Sequence, residues 1–402
     1  MMFYLRLFLP FGFGYFLSYL YRTVNAVIAP DLARDLVLLP ASLGFLTSAY
    51  FLTFALSQLP LGILLDRFGP RRVESLLLLV AALGALVFAR AQSLEWLVVG
   101  RGLIGIGVSA CLMAAFKAFV LWFPAERLPL ANGVQMVSGG LGALAATVPV
   151  EMALGMTDWR GVFLLLAGLT LLAAVILWLV IPEVKRPARS DTLAGQLRGL
   201  GQVFTSAAFW RLTPWTVAGQ AAYLSLYGLW SGPWLRDVGL FDRAGVARVL
   251  LLVAVMMVLG YFTFGVLAER LARRGIGPQT TAAAGMSGFA LVQFGLLFAG
   301  PASAVWLWLL FGFFGTTCIL PYAVLGQSFP PSLSGRATTA LNLLVFVGAF
   351  AAQWAVGWMV GLWPVTATGG YRPAGYRLGF GVLLGLQLLA ALWFLAAGRR
   401  RG

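Results

Sequence analysis

An arginine stands inside an apolar stretch at position 22, with aromatic and polar residues in the two helical turns before it. At 100° per residue, Tyr15, Ser18, Tyr19, Arg22 and Asn25 fall within about 120° of one another on one helix face. Arginine keeps its charge in proteins and presents a planar fork of N–H donors. Inside an apolar stretch it must face a partner or a watered cavity. Two chemistries are open to it: bidentate capture of an anionic group, or a structural ion pair.

Arg101 and Glu151 lie at comparable depths in later apolar stretches, where a salt bridge between them is one reading. Glu151 is also read as the one carboxylate inside a span, hence the candidate for proton coupling. Arg22, Arg101 and Glu151 together leave one positive charge, which invites an anion. Lys117 follows Arg101 by 16 residues, which turns it about 160° away, and it is expected to snorkel to the interface. In the second half, Thr216, Gln220, Tyr223, Tyr227, Trp230 and Trp234 share a face about 80° wide, with Trp234 read as part of an interfacial belt. The candidate substrate-binding set is therefore Arg22, Tyr15, Tyr19, Asn25, Arg101, Gln220, Tyr223, Tyr227 and Trp230. Gln135, Tyr322, Asn342 and Gln353 are further polar candidates.

These residues need elements that hold them in an apolar medium. The chain of 402 residues is 61% hydrophobic and 10% charged, too little polar surface for a soluble protein of this size. Twelve apolar runs are each near the length that spans a bilayer: 8–29, 42–64, 74–92, 96–121, 131–152, 161–181, 209–231, 246–268, 279–299, 303–327, 338–362 and 378–397. They lack the polar–apolar alternation of barrel strands. The net charge of +15 does not point to nucleic acid. With a cytoplasmic N-terminus, seventeen basic residues fall inside, eight outside and three within spans, as the positive-inside rule requires. Membrane lipid meets the remainder. The expected location is a bacterial inner membrane, multi-pass, with both termini cytoplasmic and no cleavable signal peptide. Cys111 and Cys318 lie in spans and read as small core residues. The absence of histidine excludes a histidine-based metal site or proton relay. No nucleophile with a base, no metal cluster and no phosphate loop is evident, so no enzyme activity and no cofactor are expected. GRGLIGIG (100–107) resembles a nucleotide fingerprint only superficially, because it lies inside a span.

The chain repeats itself. GILLDRFGPRR (62–72) and GVLAERLARR (265–274) each join two apolar stretches and start 203 residues apart, the offset that also relates Pro30 to Pro233. WFPAERLPLAN (122–132) has a counterpart in SFPPSLSGRATTALN (328–342). The only long polar stretch, 182–208, reads as a cytoplasmic linker with a short surface helix. It separates an N-terminal six-helix bundle (1–181) from a C-terminal one (209–402).

GILLDRFGPRR resembles the loop signature between the second and third helices of the major facilitator superfamily, GVLAERLARR its second copy, and RGLIGIG (101–107) the fourth-helix motif. The resemblance covers the whole chain. It implies an all-α membrane protein of twelve transmembrane helices in two pseudo-symmetric six-helix bundles. It also implies alternating access about a cavity lined mainly by helices 1, 4, 7 and 10. Gly62, Asp66, Arg67, Arg71, Glu269 and Arg270 then read as gating residues. The RTVN segment (22–25) looks like transporters of organic anions and organophosphates, but the second arginine of the phosphate exchangers is missing from the seventh helix. SGGLGALAA (138–146) is similar to nitrate/nitrite porters, whose second-helix arginine is also missing.

The expected function is secondary active transport of a small organic anion, a carboxylate, by exchange or cation-coupled symport, in a monomer. Proton-coupled efflux of amphipathic compounds is the alternative on the same fold. A non-transporting membrane receptor is the alternative of another class.

Overall fold

The apolar runs fold as helices, and no strand occurs among the described residues. Where no water is at hand, a helix satisfies its backbone groups internally. The computed structural model describes residues 2–123, 128–183, 198, 201–366 and 369–399, with side chains excepted at 2–5, 59, 63, 66, 128–130, 278, 331, 332, 398 and 399. Most of the linker expected over 182–208 lies outside the described residues.

The first half contains α1 (Met2–Thr23), α2 (Asn25–Asp35), α3 (Pro40–Arg90), α4 (Leu94–Val108), α5 (Cys111–Trp122), α6 (Leu128–Ala145), α7 (Val148–Leu154) and α8 (Trp159–Val180). The second contains α9 (Ala207–Ser225), a π-turn (Leu226–Trp230), α10 (Ser231–Asp237), α11 (Arg243–Arg273), α12 (Pro278–Phe298) and α13 (Pro301–Gly315). A 3₁₀ turn (Thr316–Ile319), α14 (Leu320–Gln327), α15 (Pro331–Val360) and α16 (Pro373–Arg399) complete it. Within α3, Gly69 adopts φ 78° and ψ 161°, a conformation glycine takes without strain, and so separates the second apolar run from the third.

Ten helical segments are long and apolar enough to cross a membrane. The opening segments of the two halves, α1–α2 and α9–α10, fall outside those ten. Both are interrupted, α1–α2 at Val24 and α9–α10 by the π-turn. Together these segments accommodate the twelve crossings expected, and the chain is an all-α, multi-pass membrane protein. Its lipid-facing surface is apolar: along α8, Leu165, Leu172 and Leu179 are exposed on one stripe, while Thr170 is buried.

The fourth segment breaks between α4 and α5, the fifth between α6 and α7, and the tenth at the 3₁₀ turn. Side chains, some near and some distant in sequence, satisfy the freed carbonyls. Gln58 Nε2 donates to Ser109 O (3.4 Å), and Thr316 and Thr317 donate to Phe313 O and Phe314 O (2.7 and 2.6 Å).

Two compact units emerge: residues 1–38 with 49–193, and residues 39–48 with 194–402. In the first, α1 packs most extensively on α6, and a Cβ at Gly142 would strike the Phe16 carbonyl. In the second, α9 packs on α15 and α16, and α11 on α13. Residues 39–48 join the second unit through Gly357, which lies against the Pro40 carbonyl, and Gln353, which donates to Thr47 Oγ1.

Candidate functional site

In the first unit, the last turn of α1 carries Arg22 into a cup of rings. Its guanidinium carbon stands 4.6 Å from the Tyr19 ring centre and 5.4 Å from that of Phe54. Tyr50, Tyr19 and Tyr15 are its electrostatic neighbours. Tyr15 and Tyr19 meet edge to face at 5.2 Å, and Tyr15 Oη points to Met136 Sδ. The cup exists because α6 has no side chain at Gly139. A Cβ there would lie 2.6 Å from Tyr15 Cε1 and 2.8 Å from Tyr19 Cδ2. Ring stacking engages the faces of a guanidinium, whereas oxyanions bind at its in-plane N–H edges, so the two are geometrically compatible. Asn25 follows the break and is 1% exposed, with no hydrogen-bond partner for Oδ1 among the described residues.

Arg101, on α4, is 1% exposed and turns into the unit. Its Nη1 donates to the Tyr21 carbonyl at 3.1 Å, and its guanidinium lies 5.4 Å from the Tyr50 ring and 5.9 Å from Phe88. Tyr21 O belongs to the last turn of α1, where carbonyls lack intrahelical donors. Arg101 thereby supports the turn that bears Arg22. The Arg101–Glu151 bridge weighed from depth is not formed; Glu151 is half-buried on α7. Lys117 is half-buried on α5. Gln135 Nε2 donates to Phe11 O at 3.1 Å and so ties α6 to α1.

Glu74 corrects the reading that Glu151 is the one carboxylate within a span. Its helix is apolar enough to cross from Arg67 to Arg90, which puts Glu74 inside, where it is 0% exposed. Tyr50 is a second residue that sequence reasoning passed over. It lies beside both Arg22 and Arg101, and its hydroxyl donates to Ser18 O at 3.4 Å.

In the second unit, Tyr223 and Tyr227 stack in parallel at 5.8 Å, and Tyr223 also stacks on Phe311 and meets Phe289 edge-on. Gly315 leaves room for the Tyr223 ring. Trp230, fully buried, donates from Nε1 to Gln353 O at 3.1 Å, and Trp234 packs against Trp308. Gln220 is half-buried, and its Oε1 has no partner among the described residues. Thr216 donates to Leu212 O, and Tyr322 donates to Asn342 Oδ1 at 3.1 Å. The π-turn that positions Tyr227 and Trp230 has no sequence signature.

In the repeated loops, Gly62, Arg67 and Arg270 are exposed. Arg71 stacks on Trp178 at 5.0 Å, and Arg72 pairs with Glu183. Glu269 pairs with Arg273 one turn along its own helix. The Asp66 side chain lies outside the described residues.

Residues 11–353 match the Major Facilitator Superfamily. The chain belongs to this superfamily. Three of its relatives are named for anions. The probable sulfoacetate transporter of Cupriavidus necator is 27% identical over 275 residues, 65% of this chain and 64% of that protein. The nitrate/nitrite transporter of Picosynechococcus is 35% identical over 131 residues, 33% of this chain and 24% of that one. The hexuronate transporter of Escherichia coli K12 is 28% identical over 179 residues, 44% and 41% of the two chains. The chain thus spans about a quarter to two thirds of these relatives. In fold it is similar to a bacterial homolog of the human lysosomal transporter Spinster, in an inward-facing, occupied conformation. That structure has a TM-score of 0.78 at 19% identity and covers 98% of this chain and 96% of the other.

Proposed function

We propose that the chain is a secondary active transporter, not an enzyme or a silent receptor, and that its cargo is a small organic anion held by Arg22. The reading is carried by one observation: a guanidinium inside the first unit, its carbon over the rings of Tyr19 and Phe54, with Tyr15 and Tyr50 beside it. A carboxylate or sulfonate matches the donor fork in charge and geometry. Relatives named for sulfoacetate and hexuronate support this class. Tyr15, Tyr19 and Asn25 contact the anion or its body, Arg101 holds the turn that carries Arg22, and Gln220, Tyr223, Tyr227 and Trp230 serve the second unit. The repeated loops gate.

The membrane is the bacterial inner membrane, the termini are cytoplasmic and the working unit is a monomer. An inside-negative potential opposes entry of an anion by about 2.3 kcal/mol per charge per 100 mV. Uptake therefore runs by exchange or with a cotransported cation. The test is counterflow in proteoliposomes with labelled sulfoacetate, galacturonate and nitrate against an amphipathic amine. Organic-anion flux well above that of empty liposomes is expected. Flux of the amine alone would favour efflux of amphipathic compounds, which the Tyr223–Tyr227–Phe311 stack could also accommodate.

A further inference from the structure

The first unit contains a buried acid that anion binding by itself does not require. Glu74, on α3, faces Gly14 of α1 so closely that a Cβ there would strike its carboxylate, and Cys111 Sγ is 3.8 Å from the same point. Neither oxygen of Glu74 has a hydrogen-bond partner among the described residues by distance and angle, and the polar group turned toward it is the Cys111 thiol. The other buried carboxylates described have arginine neighbours: Asp31 pairs with Arg34 and Asp237 with Arg236. The groups around Glu74 are few. From α5 comes Cys111, whose electrostatic neighbours are Glu74 and Arg22. From α1, Gly14 offers no side chain. On its own helix, Arg71 turns to Trp178 and Arg72 to Glu183.

The second unit carries the same niche without the acid. Gly219 and Cys318 stand 205 and 207 residues after Gly14 and Cys111. There the space beside glycine and cysteine is taken by the Met286 methyl, 3.2 Å from a Cβ placed at Gly219. Packing alone can therefore be met by a thioether on the third span of a half. An acid in the matching niche calls for a different explanation.

We propose that Glu74 is the proton-binding site of cation-coupled anion uptake, an inference that rests on the anion reading of Arg22. The polar group turned toward Glu74 is a thiol, a weak donor, too little to offset burial of a negative charge, so occupancy of this niche is tied to a proton. Gly14, which Glu74 faces, lies about two turns before Arg22 on α1, and Cys111 has both charges as electrostatic neighbours, so Arg22 is the cation both anions would share. With Glu74 neutral, cargo meets Arg22 without a second anion competing for it. With Glu74 ionised, cargo and Glu74 compete for it. Proton and anion therefore bind together and leave together. Glu74 takes one proton from outside water and releases it as H⁺ to cytoplasmic water, leaving a carboxylate that is reprotonated for the next cycle. For a singly charged anion the cycle moves no net charge.

The experiment uses full-length protein in proteoliposomes with an internal pH dye, and whichever of labelled sulfoacetate, galacturonate or nitrate the wild type carries. Wild type should acidify the lumen during uptake and accumulate anion under an inward proton gradient. Its anion affinity should fall about 5–150-fold from acid to alkaline pH, the usual range of coupling between two sites. Glu74→Gln should retain exchange but lose gradient-driven accumulation and that pH dependence. Glu74→Met, which copies Met286, should do the same and serves if the glutamine variant does not fold. Infrared difference spectra of wild type should contain a protonated-carboxyl band that is lost in both variants. Proton-free uptake by wild type, or full accumulation by the variants, overturns the role of Glu74 while leaving the anion reading intact. Absence of any anion flux in wild type defeats both.

Discussion

Gly139 offers a way to move the rings around Arg22 without touching the arginine. Glycine to alanine in a helix interior normally stabilises by about 1 kcal/mol. At Gly139 the new methyl would sit 2.6 Å from Tyr15 Cε1 and 2.8 Å from Tyr19 Cδ2, closer than carbon atoms approach, so both rings must shift. Overpacking of this kind destabilises by about 1–3 kcal/mol. The net change for Gly139→Ala is thus from about zero to about 2 kcal/mol of lost stability. Displacing Tyr19 from its 4.6 Å contact removes a cation–π interaction worth about 0.5–2 kcal/mol, or about 2–30-fold in anion affinity if the rings preorganise Arg22. Gly133, on the same helix, is the control, because a Cβ there meets nothing within 4 Å. Calorimetric titration with the transported anion and thermal melting would compare the two variants. Gly139→Ala should melt below Gly133→Ala and bind more weakly. Equal melting and equal affinity would refute the claim that α6 sets the tyrosine cup.

Arg101→Met should leave the Tyr21 carbonyl without its donor and lower stability by about 1–3 kcal/mol, read by thermal melting, with a smaller loss of anion affinity. Asp237→Asn should remove the partner of Arg236 and weaken the bonds from Tyr371 N (2.8 Å) and Tyr376 Oη (2.7 Å). Because Arg236 is about a third exposed, the loss is expected at about 1–3 kcal/mol, below that of a fully buried pair, and anion affinity should hold.

Much of the fold was legible because the bilayer imposes it. Run lengths and composition led to an all-α, multi-pass membrane chain without any tertiary information. The stripe on α1 was legible for a similar reason: spacings of three and four residues place Tyr15, Tyr19 and Arg22 on one face, and Arg22 stands over Tyr19. What helical spacing could not supply was direction and partner. Arg101 and Glu151 share a depth, yet Arg101 turns to a backbone carbonyl that became available because α1 ends at Thr23. Glu74 stands at the first position of an apolar run, where the sequence by itself gives no sign of burial. Its burial comes from Gly14 and Cys111, 60 and 37 residues away in sequence. No glycine or proline adjoins the break at Val24, and the carbonyls at the breaks in the first and fourth segments are met by donors distant in sequence, Arg101 and Gln58.

The central claim is that Arg22 grips the anion, and calorimetry on Arg22 variants tests it most directly. A bidentate pair of charge-assisted bonds contributes about 3–4 kcal/mol, so Arg22→Ala should weaken binding a few hundred-fold. Arg22→Lys, which keeps the charge but not the fork, should fall between Arg22→Ala and wild type. An Arg22→Ala protein that folds and binds the anion as tightly as wild type would contradict the account.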